Sequence, residues 1–395
     1  MNAKSLYVHA SSLVTCCGAG WRAHADALSY ARGGLASNDF APAADIATFI
    51  GRVAALDDAQ LPPAWSDFDC RNNRLAMLAL AQDGLDAAIR AAATRFGAAR
   101  IGVFVGSSTS GILSTELAAR ACVASGAALA FDPAFYMARH NMFATARFIR
   151  QWCGLSGPAA AISTACSSSA KAFIAARRAI RAGRCDAAVV AGVDSLALST
   201  LYGFRALQLL STQPCRPFSA ERAGISIGEA AAIALVSGET SDVYLAGAGE
   251  SSDAFHMSTP PADGAGAQRA MRAALADAGI GAHTVDYINL HGTGTLVNDA
   301  AEAAAVRAVF GDAAPCSSTK GFTGHTLGAA GAVEALIAVH ALRGQCIPAN
   351  LGGAPVDPAL HIAIATSGRA APMSHALSNS FGFGGSNCAL LFARA

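Results

Sequence analysis

Short β-rich runs alternate with alanine-rich stretches of helical spacing along most of this 395-residue chain, and that alternation is its strongest constraint on fold. The strand-like runs lie at 101–106, 159–162, 187–193, 233–236, 243–246 and 285–289, and the segment 1–9 reads as a first strand. Between them, 74–93, 168–182, 268–278, 299–309 and 329–342 carry helical spacing. Such alternation predicts an α/β protein whose sheet is covered by helices on both faces. The polar segment 238–242 separates two strand-like runs and divides the chain into halves 1–241 and 242–395. Reactive residues gather at strand ends in both halves, which predicts chemistry at their junction.

A hydrophobic content of 53% against 14% charged residues excludes a disordered chain. The net charge of +1 supplies no basic field for nucleic acid, although a local basic patch for an acidic protein partner stays open. No apolar run approaches the roughly 18 residues of a membrane span, and the start lacks an apolar leader, so a soluble cytoplasmic protein is expected. The 11 cysteines are an odd number without a Cys-x-x-Cys pair, and only Cys16 and Cys17 are adjacent. Buried free thiols in a reducing compartment are the expectation, with no metal site.

Cys166 departs from that expectation. It lies in Ser163-Thr164-Ala165-Cys166-Ser167-Ser168, between an apolar strand-like run and a helix that begins with small residues. A sulfur at a helix N-terminus meets unpaired N–H groups and the positive end of the dipole, which predicts a lowered thiol pKa. The Cys166 N–H is itself placed to donate to an oxyanion. The small flanking residues leave room for an acyl chain and its arm.

Two histidines sit in glycine turns: His291 in Leu290-His291-Gly292-Thr293-Gly294-Thr295, and His325 in Gly324-His325-Thr326-Leu327-Gly328. A neutral imidazole can donate to a thioester carbonyl oxygen and stabilise an enolate. One cysteine and two histidines together suit covalent acyl capture followed by a Claisen condensation. Lys320 precedes His325, and Glu334 lies in an apolar helix where burial would demand a partner, for which Lys320 is the candidate.

With those residues in view, the chain resembles the elongating β-ketoacyl-acyl-carrier-protein synthases of the thiolase-like superfamily over nearly its whole length. The resemblance rests on the Cys166 and His291 motifs, on Lys320 through His325, and on Asn379-Ser380-Phe381-Gly382-Phe383-Gly384-Gly385-Ser386-Asn387. His256-Met257 with Pro260-Pro261 adds to it. The resemblance implies a five-layered α-β-α-β-α fold of two similar halves and a dimer, either of two like chains or with a related ketosynthase-like subunit. It implies Cys166 as acylated nucleophile, His291 and His325 as the pair that serves malonyl decarboxylation, and Lys320 and Glu334 as residues that maintain the site. It further implies an oxyanion hole from the amides of Cys166 and Phe383, gating by Phe204 and Phe383, and pantetheine contacts from Thr293 and Thr295. Substrates would arrive on the phosphopantetheine arm of acyl carrier protein, with no resident cofactor.

The chain departs from the family pattern in places. Ser219 and Ala223 stand where acidic residue positions are usual, and Ala230 follows Glu229 in place of glycine. The segment Gly106-Ser107-Ser108-Thr109-Ser110-Gly111 replaces a glycine-rich, isoleucine-bearing version. Thr109 thereby stands where a bulky residue would close the acyl pocket, which predicts a deeper or more polar pocket end. With Arg71-Asn72-Asn73-Arg74, these features are similar to the ketosynthases of bacterial aryl-polyene pigment pathways. Two other readings are a non-catalytic chain-length-determining subunit, which the presence of Cys166 opposes, and a coenzyme A-dependent thiolase, which His325 opposes.

Overall fold

The structure, a computed structural model, describes residues 5–128, 130 and 132–395. Among the described residues the main sheet has eleven strands, ten of them in one continuous order: β1 (Leu6–Thr15), β2 (Ile101–Gly106), β3 (Ala159–Ile162), β4 (Ala187–Asp194) and β5 (Ala230–Ser237), then β6 (Val243–Ser252), β7 (Tyr287–Asn289), β8 (Cys316–Ser317), β9 (His375–Gly382) and β10 (Ser386–Arg394), with the short Gly18–Ala19 paired to the end of β1. The first five lie in the spatial order β1-β5-β4-β2-β3 and the second five in the order β6-β10-β9-β7-β8, so each half repeats one topology. The strand directions repeat too. β2 is parallel to β3 and β4, and β5 runs antiparallel to β4 and β1. β7 is parallel to β8 and β9, and β10 runs antiparallel to β9 and β6. The halves join through β1 and β6, antiparallel, at Leu6–Leu245 and Tyr7–Tyr244.

The helices that position the site are α1 (Arg71–Leu80), α2 (Leu85–Phe96), α3 (Ala144–Trp152), α4 (Ser168–Arg181), α5 (Ala265–Ala278), α6 (Leu296–Phe310) and α7 (Ala330–Gly344). They stack with the strands in five layers. α1, α2 and α3 cover the outer face of the first half-sheet, through Val103, Val189 and Ile233. α5 and α6 cover the outer face of the second, through Ile288, Leu377 and Leu391. α4 and α7 fill the middle, touching Val190 and Ala234 on one side and Leu390 and Phe392 on the other. Strand side chains alternate between faces, so a strand covered on both sides must be apolar at every position. Ala230 through Val236 is accordingly an unbroken apolar run.

Small residues set the middle layer's spacing. A Cβ at Gly106 would come within 2.2 Å of the Ser169 backbone, so glycine there lets the start of α4 lie directly on β2. The helix expected at 74–93 is two helices, because Asp83 (φ 53°) and Gly84 (φ 70°) turn left-handed between α1 and α2. The first strand starts at Leu6, and Met1–Lys4 lie outside the described residues. The C-terminal hairpin β9–β10 was not anticipated as strands. Its glycine-rich turn dominates the local sequence and hides the apolar alternation on either side.

Candidate active site

Strand 3 of each half ends in a turn that leads into a middle-layer helix, and those two turns carry the reactive groups. In the first half, β3 leads through Ala165 (φ 52°) to Cys166 and α4. In the second, β8 leads through Lys320 and Gly324 (φ 71°) to His325 and α7. A left-handed residue thus precedes the reactive one both times. It swings the next side chain off the strand direction and out toward the junction of the halves. Strand 2 of the second half, β7, ends at Asn289 and delivers His291.

The three side chains meet. His325 Nε2 lies 2.9 Å from Cys166 Sγ. The rings of His291 and His325 stand edge to face at 5.3 Å and 87°. All three are buried. Burial first, and the nearby Lys320 charge second, hold both histidines well below their ordinary value, so both imidazoles are neutral near pH 7. Lys320 Nζ donates to His291 Nδ1 at 3.2 Å, and also to the His291 carbonyl and to Glu334 Oε1. Its three protons therefore have three acceptors. With Nδ1 accepting from Lys320, the ring proton of His291 resides on Nε2, free to donate to substrate. Burial pushes Glu334 up to about 7 against the pull of Lys320.

The thiol differs from expectation. Burial pushes Cys166 up to about 11, and the Lys320 charge and Phe383 N–H lower it only in part. A helix N-terminus favours the anion, but this one lies in dry surroundings where the cost of charging sulfur dominates. Cys166 is therefore a thiol at rest, in hydrogen-bond contact with a neutral imidazole that can take its proton.

These groups lie along one cavity of about 410 Å³. Cys166, His291 and His325 line it, together with Thr293, Thr295, His256 and the phenylalanines 204, 381 and 383. The Phe204 and Phe383 rings stack at 5.6 Å and 27°. Thr293 and Thr295 share a 3.0 Å hydroxyl contact, and Thr295 caps α6 through Asn298 N–H. The Phe383 N–H reaches the sulfur. The ligand atoms of Cys166, His291 and His325 lie within 4.8 Å of one another, a spacing a thiophilic cation could bridge, but the Lys320 ammonium beside them opposes positive charge.

Thr109 is placed differently from the expectation. It is buried, absent from the cavity lining, and donates through both its N–H and its hydroxyl to Asp194. Asp194 accepts in addition from Ser107 Oγ, Ser108 N and Oγ, and Gly328 N, so six donors converge on one buried carboxylate. The 106–111 segment is thus a clamp between β2, the end of β4 and the start of α7.

Buried carboxylates also hold the His291 turn, and sequence reasoning missed them. Glu302 of α6 accepts from His291 N–H at 2.8 Å, Gly292 N–H at 2.7 Å and Asn379 Nδ2 at 3.2 Å, while burial pushes it up to about 7. Asp299, one turn earlier, accepts from Phe218 and Gly294. Their spacing along an otherwise apolar helix was the available signal. In the departing loop, Ser219 donates to the Pro355 carbonyl, and Arg222 pairs with Asp357 at 2.7 Å.

Comparison with known proteins agrees across the chain. The N-terminal domain model of the β-ketoacyl synthases matches residues 71–241, and the C-terminal domain model matches 243–354. Nodulation protein E of Rhizobium meliloti is 36% identical over 308 residues, 75% of this chain and 76% of that protein. The 3-oxoacyl-(acyl-carrier-protein) synthase 2 of Vibrio cholerae is 36% identical over 325 residues, with the same two coverages of 75% and 76%. Among solved structures, the ketosynthase ApeO of Xenorhabdus doucetiae, determined in complex with its chain length factor ApeC, superposes with a TM-score of 0.90 at 36% identity, covering 99% of this chain and 98% of that one.

Proposed function

The chain belongs to the β-ketoacyl synthase family of condensing enzymes, and we propose that it elongates carrier-bound acyl chains by decarboxylative condensation with malonyl-acyl carrier protein. The observation that carries this reading is the convergence of Cys166 Sγ with two neutral imidazoles in one cavity.

In the first half-reaction the Cys166 thiol passes its proton toward His325 Nε2 as sulfur attacks the acyl thioester. The carbonyl oxygen collects negative charge between the N–H groups of Cys166 and Phe383. The arm's thiolate leaves with the proton, and the acyl group stays on Cys166. The His325 ring proton then moves from Nδ1 to Nε2, the malonyl thioester enters past Thr293 and Thr295, and its carbonyl oxygen accepts from His291 Nε2–H and His325 Nε2–H. Loss of carbon dioxide places an electron pair on the α-carbon, with the enolate oxygen held by both imidazoles. That carbon attacks the acyl carbonyl, and Cys166 leaves as a thiolate that takes the Nε2 proton of His325, while the ring regains one proton from solvent at Nδ1. Each preorganised donor is worth about 100- to 1,000-fold in rate. Lys320 holds His291 in the donating tautomer, and Glu334 holds Lys320. No resident cofactor enters this scheme, and a cytoplasmic location suits a substrate carried on a soluble protein.

The partner proposed beside the carrier protein is a related ketosynthase-like subunit. ApeO is found with a chain length factor, which favours a heterodimer. The aryl-polyene pigment pathway is the proposed setting, supported by the 71–74 and 106–111 motifs.

Intact-mass analysis after incubation with a panel of acyl-carrier proteins tests the reading. One acyl mass should appear on Cys166, and malonyl-carrier protein should then discharge it as β-ketoacyl-carrier protein. A chain that stays unacylated with every carrier would be the non-catalytic subunit instead, and acylation by acetyl-coenzyme A alone would favour the thiolase reading.

A further inference from the structure

The turn after β1 brings two adjacent thiols to one point. Consecutive residues of an extended chain face opposite ways, but the chain turns at Cys16 and Cys17 and both sulfurs reach the same carbonyl oxygen. Cys16 Sγ donates to Phe322 O at 3.5 Å and Cys17 Sγ donates to it at 3.3 Å, and Cys16 Sγ also lies 3.6 Å from Thr323 O. The segment they hold, Lys320–Thr323, carries Lys320 and leads directly to His325. A third thiol, Cys215, donates to the Lys320 carbonyl at 3.2 Å, so sulfur donors fix this backbone from two sides. Cys16 and Cys17 are both partly exposed, unlike the buried Cys215. When Cys17 ionises, the Cys16 S–H turns from Phe322 O to donate to it, and that bond holds Cys17 below the ordinary thiol value, which favours Cys17 as the attacking sulfur.

We propose that Cys16 and Cys17 form a reversible oxidation site whose closure to a disulfide slackens the turn that carries Lys320 and His325. The oxidant is hydrogen peroxide. The Cys17 thiolate attacks the distal oxygen and becomes a sulfenic acid, with hydroxide leaving. Cys16 then attacks that sulfur, the S–S bond forms, and the oxygen departs as water. One peroxide consumes two thiol hydrogens and yields two waters. Closure removes both S–H donors from Phe322 O and Thr323 O. Neighbouring Cα atoms are about 3.8 Å apart, below the roughly 4.4–6.8 Å that disulfides usually span, so the ring is strained and readily reduced.

The test uses Cys166→Ala, so that the reactive-site thiol does not consume oxidant. Trypsin releases residues 5–22, which contain no other cysteine. After one equivalent of hydrogen peroxide this peptide should lose about 2 Da and regain it with dithiothreitol. A peptide that keeps two free thiols, or that gains oxygen without losing the hydrogens, overturns the proposal. In a second arm, wild-type enzyme is acylated to shield Cys166, oxidised, and mixed with malonyl-carrier protein. Condensation should slow several-fold and recover on reduction, and Cys17→Ser should be insensitive. Disulfide formation without any rate change removes the coupling to the turn. This inference rests on the proposed condensation only in its second arm. Failure of Cys166 to acylate refutes that function, and the peptide mass still decides the oxidation site.

Discussion

The two halves of this molecule share strand order, strand direction and a left-handed residue before the reactive turn, yet they use the scaffold differently. In the first half only the strand-3 turn is reactive, through Cys166, and the strand-2 turn is closed on Asp194. In the second half both turns are reactive: strand 3 leads to His325 and strand 2 to His291. The carboxylates that brace the His291 turn come from the outer helix α6, which keeps them out of the cavity. A duplicated fold thus supplies one sulfur and two imidazoles to one point because equivalent strand ends face each other across the middle layer.

The largest test of that division removes the reactive groups. Cys166→Ala should abolish acyl transfer, read by intact mass. His291→Ala or His325→Ala should cut malonyl decarboxylation by about 100- to 1,000-fold, with acylation less affected for His291→Ala. Near-normal condensation in either histidine variant would break the assignment of the second half to carbanion chemistry.

The bracing carboxylates come next. Asp194→Ala leaves buried donors without an acceptor, each costing about 1–3 kcal/mol, so unfolding should come at clearly lower denaturant while the folded fraction still acylates. Glu302→Ala should lose a comparable amount and, in addition, decarboxylation rate, because it releases the His291 backbone. Equal effects of the two on rate would erase the distinction drawn between the halves.

The thiol's own titration sharpens the contrast between sulfur and imidazole. With Cys166 pushed up to about 11, its thiolate fraction and hence its alkylation by iodoacetamide should climb about tenfold per pH unit from pH 7 to 9 without a plateau. Lys320→Met removes the charge that lowers Cys166 and should slow alkylation at any fixed pH in that range. A plateau near pH 7 would mean that the helix terminus outweighs burial.

Smaller effects follow at the turns. Thr109→Phe should destabilise by about 1–3 kcal/mol through overpacking and the lost bond to Asp194, shifting the denaturation midpoint more than the ratio of long- to short-chain acylation. At the two left-handed positions, Gly324→Ala should cost about 1–3 kcal/mol, because its Cβ would meet Ser226 O at 2.8 Å. Ala165→Gly, which relaxes strain but frees the unfolded chain, should stay within about 1 kcal/mol. Thermal denaturation of the pair measures whether the two turns are as alike as their backbones.

What the sequence made legible was local. Cys166, His291 and His325 each sit in a glycine- or small-residue turn that is recognisable within ten letters, and the strands at 101–106 and 159–162 are bounded as expected. What it hid was long-range. Asp194 and Asp299 read as ordinary charges until the fold brings them to backbone N–H groups far along the chain, and Glu302 meets its N–H partners, 10 and 11 residues away, only when the turn after β7 folds back over α6. Thr109 offered a hydroxyl whose acceptor lies 85 residues away. The Cys166 thiol reads as activated from its helix position alone, and only the depth of burial reverses that expectation.

The middle layer also governs how the chain can be taken apart. The stretch Leu327–Gly344 has a mean hydropathy of 1.3 and is 83% buried, apolar enough by composition to cross a bilayer, yet it is wrapped by strands of both halves. Each half contributes one helix to this layer, and each helix needs the other half's sheet to cover it. A polypeptide cut within 238–242 would yield two fragments with bare apolar helices, each insoluble alone and rescued only by co-expression with its complement. For anyone splitting, fusing or permuting such an enzyme, the repeated topology does not mark two independent units, because each middle-layer helix is covered by the other half's sheet.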